Sequence, residues 1–303
     1  MDITLALGGG GSRGNAHVGV IRVLEREGYR VRAVAGTSAG GIVAAAYAAG
    51  YTPDEMEDIF AKVDQSKLFY RSSHEGPSLL GLSGAQKVLE EILGDRTFAD
   101  LKIPCAMAAA DVRSAREVIL HEGRVVDAVM ATIAVPAIFP PQEQGEYLLV
   151  DGGVLDPVPV AAARALAPTL PVVAVVLSQL IEETGKFIHI PMPIKVPNPI
   201  VERLTHLRLA QAFNIFLLST EASGRALTEL RLKVDAPEVI VRPDVSGIGL
   251  LEKVDVHHLV KIGEQAAEAA LPNLKRAVAW PQQIQRRLFP KKYFGTRTSA
   301  EER

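Results

Sequence analysis

Two rhythms of apolar and polar positions alternate along the chain. Residues 3–7 form a short continuous apolar run, and glycines follow. Residues 15–27 then place Val18, Ile21, Val23 and Leu24 on one side. A continuous run bounded by turn residues predicts a strand buried on both faces, and the second spacing predicts a helix. Gly28 stands where a helix C-cap belongs. The pair repeats: an apolar run at 31–34, more glycines, and an alanine-rich helical stretch at 42–49 ended by Gly50. Thr52-Pro53-Asp54-Glu55 opens another helix with an N-cap, a proline at N1 and acids in the first turn. Ser83 is placed to cap a helix reaching residue 93. Further strands are predicted at 103–111, 147–150 and 172–177, with helices at 127–133 and 161–167. Residues 117–125 read as a hairpin-like excursion. Strands alternating with helices predict an α/β fold, a three-layer sandwich with a mostly parallel central sheet flanked by helices.

The rhythm changes after residue 180. Residues 187–199 are apolar and carry Pro191, Pro193, Pro197 and Pro199, so they suit neither a long helix nor a central strand. A helix over 200–230 follows, with a break expected at Gly224. A late strand at 239–242 and a late helix at 256–270 complete the pattern, and residues 281–303 look peripheral. Phe213, Ile215, Phe216, Leu217 and Leu218 suit a buried helix or a helix–helix contact.

Composition narrows the function classes. Of 303 residues 48% are apolar, enough for a sizeable core, and the net charge of −2 argues against a nucleic-acid binder. Cys105 is the only cysteine, which excludes an intrachain disulfide, and its apolar strand makes it a core residue. Met1-Asp2 leads straight into a strand without a basic n-region, and no apolar run reaches the roughly 18 residues of a spanning helix. The expectation is a cytoplasmic protein, with peripheral membrane contact left open.

The candidate chemistry sits in the glycine-rich turns. Gly36-Thr37-Ser38-Ala39-Gly40 lies between a strand and a helix, the context of a G-x-S-x-G nucleophile elbow. Gly8-Gly9-Gly10-Gly11-Ser12-Arg13-Gly14 also follows a strand and opens a helix. Its backbone N–H groups and the helix N-terminus would suit an oxyanion. A serine also needs a base. The downstream histidines, His74, His121, His189, His206, His257 and His258, lack a convincing strand-end glycine context, and His17 reads as a helix-packing residue. Asp151 ends an apolar strand, and Gly152-Gly153 bend the chain after it, which would aim its carboxylate toward the sheet edge that holds Ser38. From local sequence, a base and a turn-capping aspartate are equally open readings.

Gly9-Gly10-Gly11-Ser12-Arg13-Gly14, Gly36-Thr37-Ser38-Ala39-Gly40 and Asp151-Gly152-Gly153, in that order, resemble the patatin-like phospholipase family. Residues 131–140, with Pro136 and Pro140, are similar to that family's proline block, and residues 94–104 to its middle region. The resemblance spans about residues 3–180. It implies a Ser38–Asp151 dyad, with Ser38 as nucleophile and Asp151 as base. It also implies an oxyanion hole from the glycine loop, and acyl-ester hydrolysis on lipids without metal or cofactor. The family often has Asn-Pro after the aspartate block, where this chain has Asp156-Pro157. On this reading residues 1–180 are a catalytic core and 181–280 the C-terminal part of the same domain. Within it, 187–218 would serve as a lid or lipid-facing segment, and 281–303 would be a basic tail suited to an anionic membrane surface.

Three rival readings follow from the same residues. Gly9-x-Gly11-x-x-Gly14 satisfies a dinucleotide-binding fingerprint locally, although no acid ends the second strand. A catalytically silent or regulatory lipid-binding protein could share the fold. A triad esterase would use His189 or His257 with Asp151 as its orienter.

Overall fold

The computed structural model describes residues 1–72, 75–178, 201–279, 281–282 and 286. Strand β1 (Asp2–Leu7) leads through the first glycine loop into α1 (Ala16–Arg26), and β2 (Arg30–Thr37) leads directly into α2 (Ala39–Ala49). Helices α3 (Pro53–Lys62) and α4 (Ser83–Leu93) follow. At the start of α3, the Thr52 hydroxyl accepts the Glu55 N–H and the Glu55 carboxylate accepts the Thr52 N–H, a reciprocal capping box. Next come β3 (Cys105–Asp111), β4 (Arg116–Leu120), α5 (Val125–Thr132), β5 (Gln142–Gln144), β6 (Tyr147–Asp151), α6 (Val160–Leu166) and β7 (Val172–Val175). Then come α7 (Val201–Asp235), β8 (Val239–Val241) and α8 (Val256–Ala277).

The eight strands form one mixed sheet, paired in the sequence β5-β6-β3-β2-β1-β7-β8, with β4 also on β3. The pairs from β3 through β2, β1 and β7 to β8 are all parallel, whereas β4, β5 and β6 are antiparallel additions. Alternation along the strands gives the sheet two unlike faces. Ile3, Leu5, Leu7, Val34, Met107, Val173 and Val175 face the larger cluster, with apolar residues of α1, α2, α4, α5 and α8. Ala6, Ala35, Ala106, Ala108 and Ala174 face the other, against Val160, Ala162 and Ala163 of α6 and Leu232 of α7. Sheet residues buried on both sides explain the unbroken apolar runs, and the result is the expected α/β sandwich.

A strand has two edges, which fixes an important junction. Residues 107–111 of β3 pair with β4, residues 105–108 pair with β2 and residues 109–111 pair with β6. Because β4 overlaps both, β2 and β6 must share the opposite edge. They run toward each other along it and meet end to end: Thr37 is partnered with Ala108, and Asp151 with Ala109. Asp151 therefore approaches Ser38 head-on, from a strand of opposite direction.

Three local expectations change. Helix α7 passes through Gly224 without a break. One glycine costs about 1 kcal/mol in a helix, and anchors flank this one: Glu221 pairs with Arg13 and Arg225, and Arg231 with Asp156. On α7, Leu217 is buried, whereas Ile215 and Phe216 are exposed. Helix α8 runs past residue 270 to Ala277 because its buried face continues through Leu274 and Ala277, despite the donor lost at Pro272. Residues 187–199 and nearly all of the basic tail lie outside the described residues.

Candidate active site

Ser38 stands between β2 and α2 with φ 53° and ψ −125°, a conformation that L-residues rarely adopt. Its neighbours explain why the turn holds. A Cβ at Gly36 would fall on the Gly40 carbonyl, and one at Gly40 on the Leu7 carbonyl, so only glycine lets the chain pass so closely. The Ser38 carbonyl accepts the first bonds of α2, from Gly41 N–H (2.8 Å) and Ile42 N–H (3.3 Å). The Thr37 hydroxyl is buried and donates to the Asp156 carbonyl at 2.9 Å.

The first glycine loop lies against this elbow. A Cβ on Gly9 would sit 3.2 Å from that of Ser38, and one on Gly14 would sit 2.6 Å from that of Ala39. Gly9 N–H donates to Pro157 O (3.0 Å), Ser12 N–H to Leu250 O (2.8 Å) and Arg13 N–H to Gly10 O (3.2 Å). The N–H groups of Gly10 and Gly11 donate to no backbone carbonyl among the described residues. Gly11 has φ +57°, and a side chain there would strike the Leu250 carbonyl. The Arg13 guanidinium is buried; it donates to Ile248 O at 2.7 Å and faces Glu221 at 3.5 Å. It ties the loop to residues 248–250 and to α7. His17 is fully buried on α1, and its ring Nε2 lies 2.8 Å from Gly8 O, so that nitrogen carries the proton. Burial pushes the His17 pKa down to about 4, keeping the ring neutral.

Asp151 is 5% exposed. Its Oδ1 accepts the Gly153 N–H at 2.7 Å, and the Ser38 side chain is near enough to act on its carboxyl. Burial raises the pKa to about 6, against the opposing pull of Ser38 and the Gly153 N–H. Gly152 leaves room here, because a Cβ would collide with the Ala108 carbonyl. Asp156 is buried with its Oδ2 2.7 Å from Arg231. Burial and neighbouring Glu117 push its carboxyl well above the usual range. Its main chain supports both glycine turns, since Asp156 O receives Thr37 and Pro157 O receives Gly9.

The patatin-like phospholipase family model matches residues 5–164. The chain belongs to that family. It is 37% identical over 162 residues to an uncharacterized NTE family protein of Mycobacterium bovis, covering 52% of this chain and 44% of that protein. A second uncharacterized NTE family protein of M. bovis is 30% identical over 291 residues, 91% of this chain and 48% of that protein. The chain thus spans less than half the length of these mycobacterial relatives. Among solved structures, VipD from Legionella pneumophila aligns with a TM-score of 0.56 at 13% identity, over 88% of this chain and 66% of that one. That likeness concerns the fold alone.

In this patatin-like chain the elbow, the glycine loop and the Asp151 turn converge on one point. His257 is elsewhere, exposed on α8 and bonded to Glu57, and His189 lies outside the described residues. No described histidine hydrogen-bonds to Ser38 or Asp151. Cys105 is buried in β3, its thiol pushed up to about 12 by desolvation, as a core residue would be. Sequence reading overlooked Thr132, which bonds the Ser38 amide, because a lone threonine in an apolar block carries no spacing signal. No helix among the described residues is long and apolar enough to cross a membrane.

Proposed function

We propose that this chain is a serine acyl hydrolase that cleaves carboxylic esters of lipids, with Ser38 as nucleophile and Asp151 as its base. The observation that carries the reading is the strained Ser38 turn, which the meeting of β2 and β6 sets beside the buried Asp151 carboxylate, whose pKa burial raises to about 6. Such a group is ionised at neutral pH, yet basic enough to take a proton as the hydroxyl attacks; a positioned base contributes about 10²–10⁴-fold. Of the loop from Gly9 to Gly14, the amides of Gly10 and Gly11 are the best candidates for the oxyanion hole, since those of Gly9, Ser12 and Arg13 are engaged elsewhere and Gly14 packs against Ala39. Each such donor is worth about 3–4 kcal/mol in favourable cases. The alcohol leaves with the proton held by Asp151. Water, deprotonated by the same carboxylate, then releases the fatty acid. Family membership supports a lipid ester as substrate, as do relatives named patatin-like phospholipase domain-containing proteins in Caenorhabditis elegans and mouse.

The test is hydrolysis of p-nitrophenyl esters of graded chain length, then of phospholipids, by wild type, Ser38→Ala and Asp151→Asn, with fluorophosphonate labelling of the serine. Both variants should lose at least about 100-fold in kcat. Full activity in Asp151→Asn would point to a different base. A wild type that neither labels nor hydrolyses would favour a silent lipid-binding protein.

A further inference from the structure

The proposed dyad is assembled from the ends of two strands that never pair with each other, so something must hold those ends in mutual register. Helix α5 ends at Thr132, which is fully buried. The Thr132 hydroxyl lies 2.5 Å from the Ala108 carbonyl and 2.9 Å from the Ser38 amide nitrogen. A hydroxyl has one proton. The carbonyl can only accept it, so the oxygen's lone pair receives the Ser38 N–H. The chain of bonds runs from Ser38 N–H through Thr132 Oγ1 to Ala108 O.

Its location matters. Ala108 is the last β3 residue opposite β2, and Ala109 the first opposite Asp151. At that step the edge of β3 changes partner, and Thr132 spans the change. Two residues on, the Ala134 carbonyl accepts the Asp151 N–H at 2.9 Å. One short segment thus binds the main-chain amides of both Ser38 and Asp151. The Thr132 methyl fills the space beside Gly41, where a Cβ would meet it at 2.6 Å.

We infer that Thr132 is a positioning residue: its hydroxyl, bridging Ser38 N–H and Ala108 O, fixes the strained elbow in the orientation from which Ser38 attacks. The inference rests on the Ser38–Asp151 reading. A turn at positive φ is disfavoured on its own and persists only where the surroundings determine it. Without the bridge two buried groups lose their partner, and the elbow can relax at the reacting atom. Displacements of about 1 Å there cost about 100-fold in rate.

The experiment compares wild type, T132V, T132S and T132A by kcat, KM, rate of fluorophosphonate labelling, thermal unfolding and amide hydrogen exchange in the peptide covering residues 36–41. T132V keeps the shape and loses the hydroxyl. It should lower kcat and labelling by about 10- to 100-fold with little change in KM, and its peptide should exchange faster. T132S should restore most of the rate. T132A and T132S both lack the methyl, so their ratio isolates the hydroxyl even if T132V fails to fold. Equal losses in T132A and T132S, or a folded T132V with wild-type kcat and exchange, would overturn the proposal. If wild type itself hydrolyses no ester, the catalytic reading fails, and exchange at 36–41 alone then decides whether the hydroxyl holds the elbow.

Discussion

Burial disfavours the charged forms of both Asp151 and His17, with opposite consequences as the pH changes. The Asp151 carboxyl titrates near 6 instead of 3.8 in the folded chain, so folding favours its protonated form. Its contribution to stability therefore falls as the pH rises from about 4 to 6, and keeping it ionised at pH 7 costs about 3 kcal/mol. His17 titrates near 4 instead of 6.5, so its contribution is full above about pH 6.5 and is lost as the pH falls through 4. Between pH 4 and 6 the two slopes oppose each other. Two outcomes follow for the residue pair. The profile of kcat/KM against pH should show an acid limb near pH 6, below which protonated Asp151 cannot accept the Ser38 proton. Asp151→Asn, though inactive, should match or exceed wild-type stability at pH 7, and should then lose stability on acidification to pH 4 more steeply than wild type. Ester hydrolysis across that range measures the first outcome, and thermal unfolding the second.

At the scale of elements, the closest contact is the crossing of α1 and α8. A Cβ at Gly19 would fall on the Val260 carbonyl, and one at Gly263 on the Ala16 carbonyl. Helix α1 begins where the glycine loop ends, so α8 buttresses the loop from behind. Gly263→Ala should cost about 1–3 kcal/mol through overpacking, read from denaturant midpoints. Most elements were legible in the sequence because parallel strands buried on both faces write continuous apolar runs, and because caps such as Thr52 are local. What the sequence left unwritten was long-range. Nothing local to residues 147–151 says that β6 runs against β3 and meets β2 at Ala108–Ala109. Nothing local to Gly9 or Ser12 says that Pro157 and Leu250 will occupy their amides. The glycines around Ser38, in the first loop and after Asp151 leave a visible mark, yet locally they left Asp151 open between a base and a turn cap, and the family resemblance singled it out. Thr132 could not be picked out, because a buried hydroxyl bridge leaves no such mark.

For the molecule as a whole, the described residues 201–279 pack onto the same sheet and add a strand to it. Strand β8 pairs with β7, and α7 and α8 supply contacts to Arg13, Asp156 and α1. A fragment of residues 1–178 holds every candidate site residue, yet it should fail to fold cooperatively, which circular dichroism and urea titration would reveal. Arg164 closes this region from the far side. It is 2% exposed, contacts both Glu238 oxygens at 2.7 and 2.8 Å, and bonds the carbonyls of Asp235 and Ala236 that end α7. Arg164→Ala removes the buried guanidinium from the part-buried Glu238 carboxylate and should cost about 3 kcal/mol, read from denaturant midpoints.

The head-on meeting of β2 and β6 makes β3 a ruler for the reaction. Thr37, the residue before Ser38, and Asp151 stand opposite consecutive alanines, so the spacing of serine and aspartate is set by the backbone and not by the rotamers of long side chains. Strand residues alternate faces, so β6 docked one position out of step would turn Asp151 to the opposite side of the sheet while leaving most of the core intact. Assembly errors there would yield a compact, correctly sized, inert population. During refolding, serine reactivity toward a fluorophosphonate should therefore emerge later than secondary structure, keeping pace with the seating of the β5–β6 ribbon.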